Sequence, residues 1–214
     1  MDAQWCGAPK RLLVTFRRGS DTVIRAMLRV VPDDLDLAER CVRGDRVAQR
    51  QLFEREKRRV HAILYRLLGT NGPMEDLLQE AFLEIFRSLG SYRGEAAIGT
   101  WIDRCTVRVA YRWLRSRRVF LELAHDVAST EPSVERKAFA REGVRRLYEA
   151  LNQLDAKQRI AFCLHVIDGM PVARVAASMD ATVVATKVRI FRARRALELR
   201  AAKDPVLEDF MEAT

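Results

Sequence analysis

The stretch from Leu154 to Leu199 constrains this chain most, because it joins helical apolar spacing to stops at fixed places. Ile160, Phe162, Cys163, Leu164, Val166 and Ile167 form too apolar a run for an exposed helix. Asp168-Gly169 ends that helix, since glycine takes the left-handed cap conformation at little steric cost. Pro171 suits the first turn of a following helix, where a missing N–H costs nothing, and Val172, Val175, Ala176 and Met179 then recur at helical spacing. Asp180-Ala181-Thr182 reads as a turn, with Thr182 as the N-cap of a long last helix. Val183, Thr186, Ile190, Ala193 and Leu197 form its inward stripe, and Lys187, Arg189, Arg192, Arg194 and Arg195 crowd the rest.

Two readings fit a short helix, a tight turn and a basic helix. One is a helix-turn-helix, whose second helix enters a DNA major groove with its N-terminal residues at base edges. The other is an ordinary helical hairpin with a solvated basic face. Charge balance favours the first. Glu198 is the only acid between Thr182 and Arg200, whereas a merely solvated helix mixes signs in i,i+4 pairs.

A net charge of +9 points to a polyanionic partner, because neutralising phosphates releases counterions. Charge alone does not choose between DNA, RNA and an anionic membrane surface. With only six prolines and ten glycines among long periodic apolar stretches, the expected fold class is all-α. No apolar run approaches the roughly 20 residues of a membrane span, and Leu12-Leu13-Val14 is too short for a signal-peptide core. A cytoplasmic protein is expected. Cys6, Cys41, Cys105 and Cys163 are too far apart for a CxxC pair, so core packing is their expected role. His61, His125 and His165 have no metal-ligand spacing with them, so no metal or cofactor is expected.

Residues 1–33 alternate basic side chains with short apolar clusters. A basic arm fits this, and so does an untranslated upstream stretch with Met27 as the start. From Asp33, a helix cap, Leu35, Leu37, Ala38 and Val42 begin a helical pattern that Gly44 interrupts. Asp45 to Leu68 is a long helix, with Val47, Leu52, Phe53, Val60, Ile63, Leu64 and Leu67 inward and Arg50, Arg55, Lys57, Arg58 and Arg59 outward. Pro73 starts a helix to Leu89 whose Glu75, Asp76, Gln79, Glu80 and Glu84 face is acidic, suited to solvent or to a basic partner. After the Ser91–Glu95 loop, a helix from Ala96 to Arg118 carries Ile98, Trp101, Ile102, Cys105, Val109 and Trp113 along one face and many arginines elsewhere. Aromatics beside arginines suit unstacked bases, because stacking tolerates any base and arginine holds phosphates. Trp113 reads as core, while Trp101 is equally a core or a contact residue. Residues 119–133 are acidic and turn-prone, a linker. A helix from Val134 to Leu151, with Phe139, Val144, Leu147, Tyr148 and Leu151 inward, leads into the opening stretch, and a short tail over 201–214 frays at Glu212-Ala213-Thr214. The expectation is two small helical domains, 34–118 and 134–200, joined by a flexible linker, the second a helix-turn-helix.

The pieces DLLQEAFLEIF, YRGEAAIGTWI and KVRIFRARRAL together resemble regions 2 and 4 of bacterial sigma factors, over residues 34 to 200. With only these two regions, the chain resembles the extracytoplasmic-function (ECF) type. The resemblance implies core RNA polymerase as a partner, docked through Asp76, Leu77, Gln79, Glu80 and Phe82. It implies capture of the melted −10 promoter element by Tyr92, Arg93, Trp101, Arg104, Arg108 and Arg112. It implies readout of the −35 duplex by Thr182, Lys187, Arg189, Arg192 and Arg194. An anti-sigma factor is a further partner known in the family, although nothing in the sequence identifies one. The chain departs from the family pattern at three places. Val107-Arg108 stands where the family often has an asparagine, Asp180 replaces the usual turn glycine, and Ala185-Thr186 replaces threonine-valine. Base contacts should therefore differ from those of typical members, while aspartate still suits a left-handed turn.

The function expected is promoter selection without catalysis. The alternative is a stand-alone helix-turn-helix regulator on a palindromic site. Such a regulator has no need of the acidic face or of a second basic helix. An enzyme is disfavoured, since no Gly-rich phosphate loop, metal cluster or cysteine–histidine pair stands at a suggestive spacing.

Overall fold

The computed structural model describes residues 32–121 and 135–212, and these are helical with short connections. The first module contains α1 (Pro32–Val42), α2 (Arg46–Leu68), α3 (Met74–Ser88), a 3-10 turn (Leu89–Ser91) and α4 (Ile98–Leu121). The second contains α5 (Glu135–Asn152), α6 (Ala156–Phe162) continued by a π-turn (Cys163–Ile167), α7 (Val172–Ser178), α8 (Val183–Ala201) and α9 (Pro205–Glu212).

Local chemistry sets the boundaries. The Asp45 carboxylate accepts from the backbone N–H groups of Val47 and Ala48, and Gly69 closes α2 in the left-handed region at φ 72°. In the first module α2, α3 and α4 pack on one another around Leu52, Leu64, Leu67, Ile85, Ile98 and Ile102. In the second, α6 and α8 pack around Leu151, Ile160, Leu164 and Leu197. Cys41, Cys105 and Cys163 are buried free thiols, and burial pushes the Cys163 thiol up to about 12. Trp113 is partly buried against the core.

Several residues read as inward are exposed. The buried stripe of α2 runs through Ala48, Leu52, Glu56 and Val60, which leaves Val47 about 100° off it in a 3.6-residue helix. Val144 is a step away from Gly143, where a Cβ would lie 2.3 Å from the Phe210 ring. The π-turn widens the helix after Phe162 and rotates Val166 and Ile167 toward solvent. Val183 in the first turn of α8 and Val42 at the end of α1 are exposed as well. Asp33 lies inside α1 rather than capping it, and Arg59 turns toward the protein to pair with Asp103.

The segment after 200 is more than a frayed tail. Leu207 is buried, and α9 packs on α5 and α8. Helix α4 runs to Leu121, past the expected start of the linker. The rest of the linker, the inward placement of Phe139 and the N-terminal arm lie outside the residues whose positions or side chains are described.

Candidate nucleic-acid interface

The turn before α8 is built as its chemistry demands. Asp180 takes φ 51°, the only non-glycine residue at positive φ among the described residues. The Thr182 hydroxyl accepts from the Ala185 N–H at 3.1 Å, and the Thr186 hydroxyl donates to the Thr182 carbonyl at 2.9 Å. Thr186, Ile190, Ala193 and Leu197 are buried. Lys187 and Arg192 are exposed, whereas Arg189 and Arg194 are half-buried flanks.

Sequence reasoning passed over the exposed apolar residues of this helix. Val184 (71% exposed), Val188 and Phe191 (70% exposed) face solvent beside the expected Arg195. Their spacing repeats that of Thr186, Ile190, Ala193 and Leu197 but is offset by two residues, which places them on the opposite face. That offset was a readable signal. Aliphatic and aromatic groups beside cations can meet thymine methyls while the cations hold phosphates.

In the first module the loop before α4 is pinned from several sides. The Tyr92 hydroxyl donates to the Ala96 carbonyl at 2.7 Å, and its ring meets Trp101 edge-on at 5.9 Å. Tyr92 is buried and Trp101 half-buried, so Tyr92 orders the loop rather than offering a stacking face, and Arg93 is the exposed member. Asp34 on α1, itself buried, accepts from the Ile98 N–H at 3.1 Å and pairs with Arg55 at 2.9 Å. The cap of α4 therefore comes from 64 residues earlier, which local reading could not find.

Along α4, Arg108 and Arg112 are exposed and Arg104 is half-buried. Asp103 beside them is fully buried and binds Arg59 at 2.7 and 2.8 Å and Arg174 of α7 at 2.8 Å. Burial pushes this carboxyl up to about 6, against the pull of Arg59. Arg112 reaches Glu80 at 3.1 Å and Glu84 at 3.4 Å on α3.

On α3, Asp76, Gln79 and Glu80 are exposed, while Leu77 and Phe82 are in the core. The last two hold the helix in place. The outward apolar group is Leu83, 46% exposed. The structure thus brings Arg112 of the −10 set beside Glu80 of the docking set. It also gathers Arg104, Arg108 and Arg189 around one cleft of about 150 Å³, which Lys157 and Asp180 also line. Thr182, Lys187, Arg192 and Arg194 are not part of that cleft.

Among the described residues no cluster of histidine, cysteine or carboxylate is arranged to hold a metal, and no helix is long and apolar enough to cross a membrane.

Two basic helices, one in a helix-turn-helix and one beside an acidic-faced helix, mark the chain as a DNA-binding protein. Residues 52–119 match sigma-70 region 2 and residues 144–197 match sigma-70 region 4, together more than half of the chain. The ECF RNA polymerase sigma-E factor of Haemophilus influenzae is 30% identical over 177 residues, covering 77% of this chain and 93% of that one. Among solved structures, CnrH in complex with the cytosolic domain of CnrY aligns with a TM-score of 0.56 at 24% identity, over 80% of this chain and 98% of that one. The sigma factor RpoE in complex with the anti-sigma factor NepR from Bartonella quintana aligns with a TM-score of 0.51 at 20% identity, over 72% and 97%. The chain belongs to the RNA polymerase sigma factors of the ECF type.

Proposed function

We propose that this chain directs core RNA polymerase to specific promoters, that α8 reads the −35 element as duplex, and that α4 with the loop before it captures melted −10 bases. The observation that carries this reading is the outer face of α8, where Lys187, Arg192 and Arg195 flank Val184, Val188 and Phe191. Thr182, Arg189 and Arg194 border that face. Each good bidentate base contact there contributes about 1–3 kcal/mol of discrimination.

On the first module, Arg93, Trp101, Arg104, Arg108 and Arg112 hold the opened strand, with Tyr92 ordering the loop. Unstacking costs a few kcal/mol, which arginine and aromatic contacts offset. Asp76, Gln79 and Glu80, supported by Leu77 and Phe82, dock on a basic surface of the polymerase. The working units are 34–118 and 134–200, with 119–133 as linker. The chain acts in the cytoplasm and performs no catalysis of its own. The RpoE structure pairs that protein with an anti-sigma factor, and a partner of that class is proposed here too.

Run-off transcription with purified core polymerase tests the reading. A transcript that depends on this protein, and that Gln79→Ala with Glu80→Ala abolishes, is the expected result. Absence of both transcript and core binding, with duplex binding retained, would identify a stand-alone regulator instead.

A further inference from the structure

A second basic cavity lies away from the proposed DNA-reading surfaces, where the second half of α2 faces the turn between the π-turn and α7. It encloses about 390 Å³, a size common to small-molecule sites, and three half-buried arginines line it: Arg59, Arg66 and Arg174. Asp168 is the only acid on its wall. Ala62, Ile63, Met170 and Pro171 supply an apolar side. Gly169 is also on the wall, and a Cβ there would meet nothing within 4 Å, so the turn leaves that side open.

Carboxylates hold these arginines in place without using them up. The fully buried Asp103 accepts from the Nε and Nη2 of Arg59 at 2.7 and 2.8 Å and from the Nη2 of Arg174 at 2.8 Å. Arg66 pairs with Asp168 at 2.5 Å. Three guanidiniums against two carboxylates leave positive charge in excess. The Nε of Arg174 is buried and has no hydrogen-bond partner, and among the described residues it is the one buried side-chain nitrogen or oxygen left so. A buried charged donor without an acceptor is costly, so its presence on a cavity wall points to an acceptor that comes from outside the chain.

We propose that this cavity binds a phosphate monoester carrying a compact organic group. Arg59, Arg66 and Arg174 receive the phosphate, and the organic group lies against Ala62, Ile63, Met170 and Pro171. Arginine suits this task because its planar fork donates paired N–H bonds to phosphate oxygens. A terminal phosphate enters a concave site end-on and offers three acceptor oxygens, whereas a backbone phosphate of DNA is flanked by nucleotides on both sides. The site shares no residue with the sets assigned to promoter DNA or to polymerase docking, so it stands independently of the proposed function.

Calorimetric titration of the full chain with phenyl phosphate and with inorganic phosphate tests the site. Both should bind, phenyl phosphate about tenfold more tightly because its ring covers the apolar wall. Arg66→Gln and Arg174→Lys should each weaken phenyl phosphate binding about tenfold, through the loss of one charge-assisted hydrogen bond. Arg174→Lys keeps a cation beside Asp103 and so protects the fold. Asp168→Asn removes a competing carboxylate and should tighten binding, a direction that damage to the fold does not produce. A wild type that binds neither probe would overturn the proposal, and so would variants that bind as the wild type does. Loss of mixed-sequence duplex binding in the arginine variants, with phosphate binding unchanged, would assign these arginines to the DNA backbone and overturn it as well.

Discussion

Helices α4 and α8 look alike in sequence, each with an apolar stripe and a surplus of arginine, yet they are embedded differently. In α8 the buried set is a narrow stripe of Thr186, Ile190, Ala193 and Leu197, and the opposite face is free. In α4 burial wraps much of the helix: Ile98, Ile102, Cys105 and Val109 are joined by Asp103, Thr106, Val107, Ala110 and Leu114. Its arginines are confined to a ribbon. Of these, Arg104 is tied to Ala177 and Arg112 to Glu80 and Glu84. A helix covered on one side presents its outer face as it stands. A helix covered on several must first give up contacts within the chain to present its own.

Identical substitutions on the two helices should separate these environments most widely. Val109 is fully buried on α4, whereas Val188 on α8 is 42% exposed. Val109→Lys should destabilise the fold by more than about 4 kcal/mol, because it buries an unpaired ammonium. Val188→Lys should stay within about 0.5 kcal/mol. Urea unfolding of both variants checks this, and equal costs would refute the contrast between the helices.

The next effect comes from the buried acid, which α8 has no equivalent of. The carboxyl of Asp103 in the folded chain sits at about 6, above the ordinary 3.8. The folded state therefore binds this proton more tightly than the unfolded state does. Stability from this group is fully present below the ordinary value and is lost as pH rises through about 6. At about 1.36 kcal/mol per unit, the wild type should gain about 2–3 kcal/mol between pH 7 and pH 4 relative to Asp103→Asn, which cannot titrate. Paired unfolding curves at the two pH values measure it. A difference independent of pH would mean that Arg59 and Arg174 just offset the burial of the charge.

The same contrast explains what could be read from the amino-acid sequence. The helix-turn-helix was legible almost to the residue, because its signals are local: Gly169, Thr182, Asp180 and a stripe at helical spacing. The all-helical class followed from periodicity alone. Asp103 was missed because an acid among arginines reads as solvated, and its partners lie 44 and 71 residues away. Asp34, Arg159 and Tyr148 were missed as polar partners for the same reason, since each binds backbone or charge from a distant part of the chain. Leu77 and Phe82 came with a family motif, and a motif does not distinguish a contact residue from one that supports it. Both are buried in the core of the first module.

The smallest of the expected effects concerns how each helix begins. Helix α8 is capped by its own Thr182, which satisfies one N–H. Helix α4 is capped by Asp34 from α1, which also holds Arg55. Thr182→Ala should cost about 1 kcal/mol, the usual loss for a hydroxyl cap at an exposed helix start. Thr182→Ser keeps the acceptor oxygen and should recover most of that loss. Because the cap also fixes the first turn of α8, where Val184 and Lys187 begin the outer face, Thr182→Ala should weaken binding to −35 duplex without altering binding of single-stranded DNA by α4. If Thr182→Ser restores stability but not duplex binding, the threonine methyl itself takes part in the −35 contact, and Thr182 belongs among the base-reading residues rather than the positioning ones.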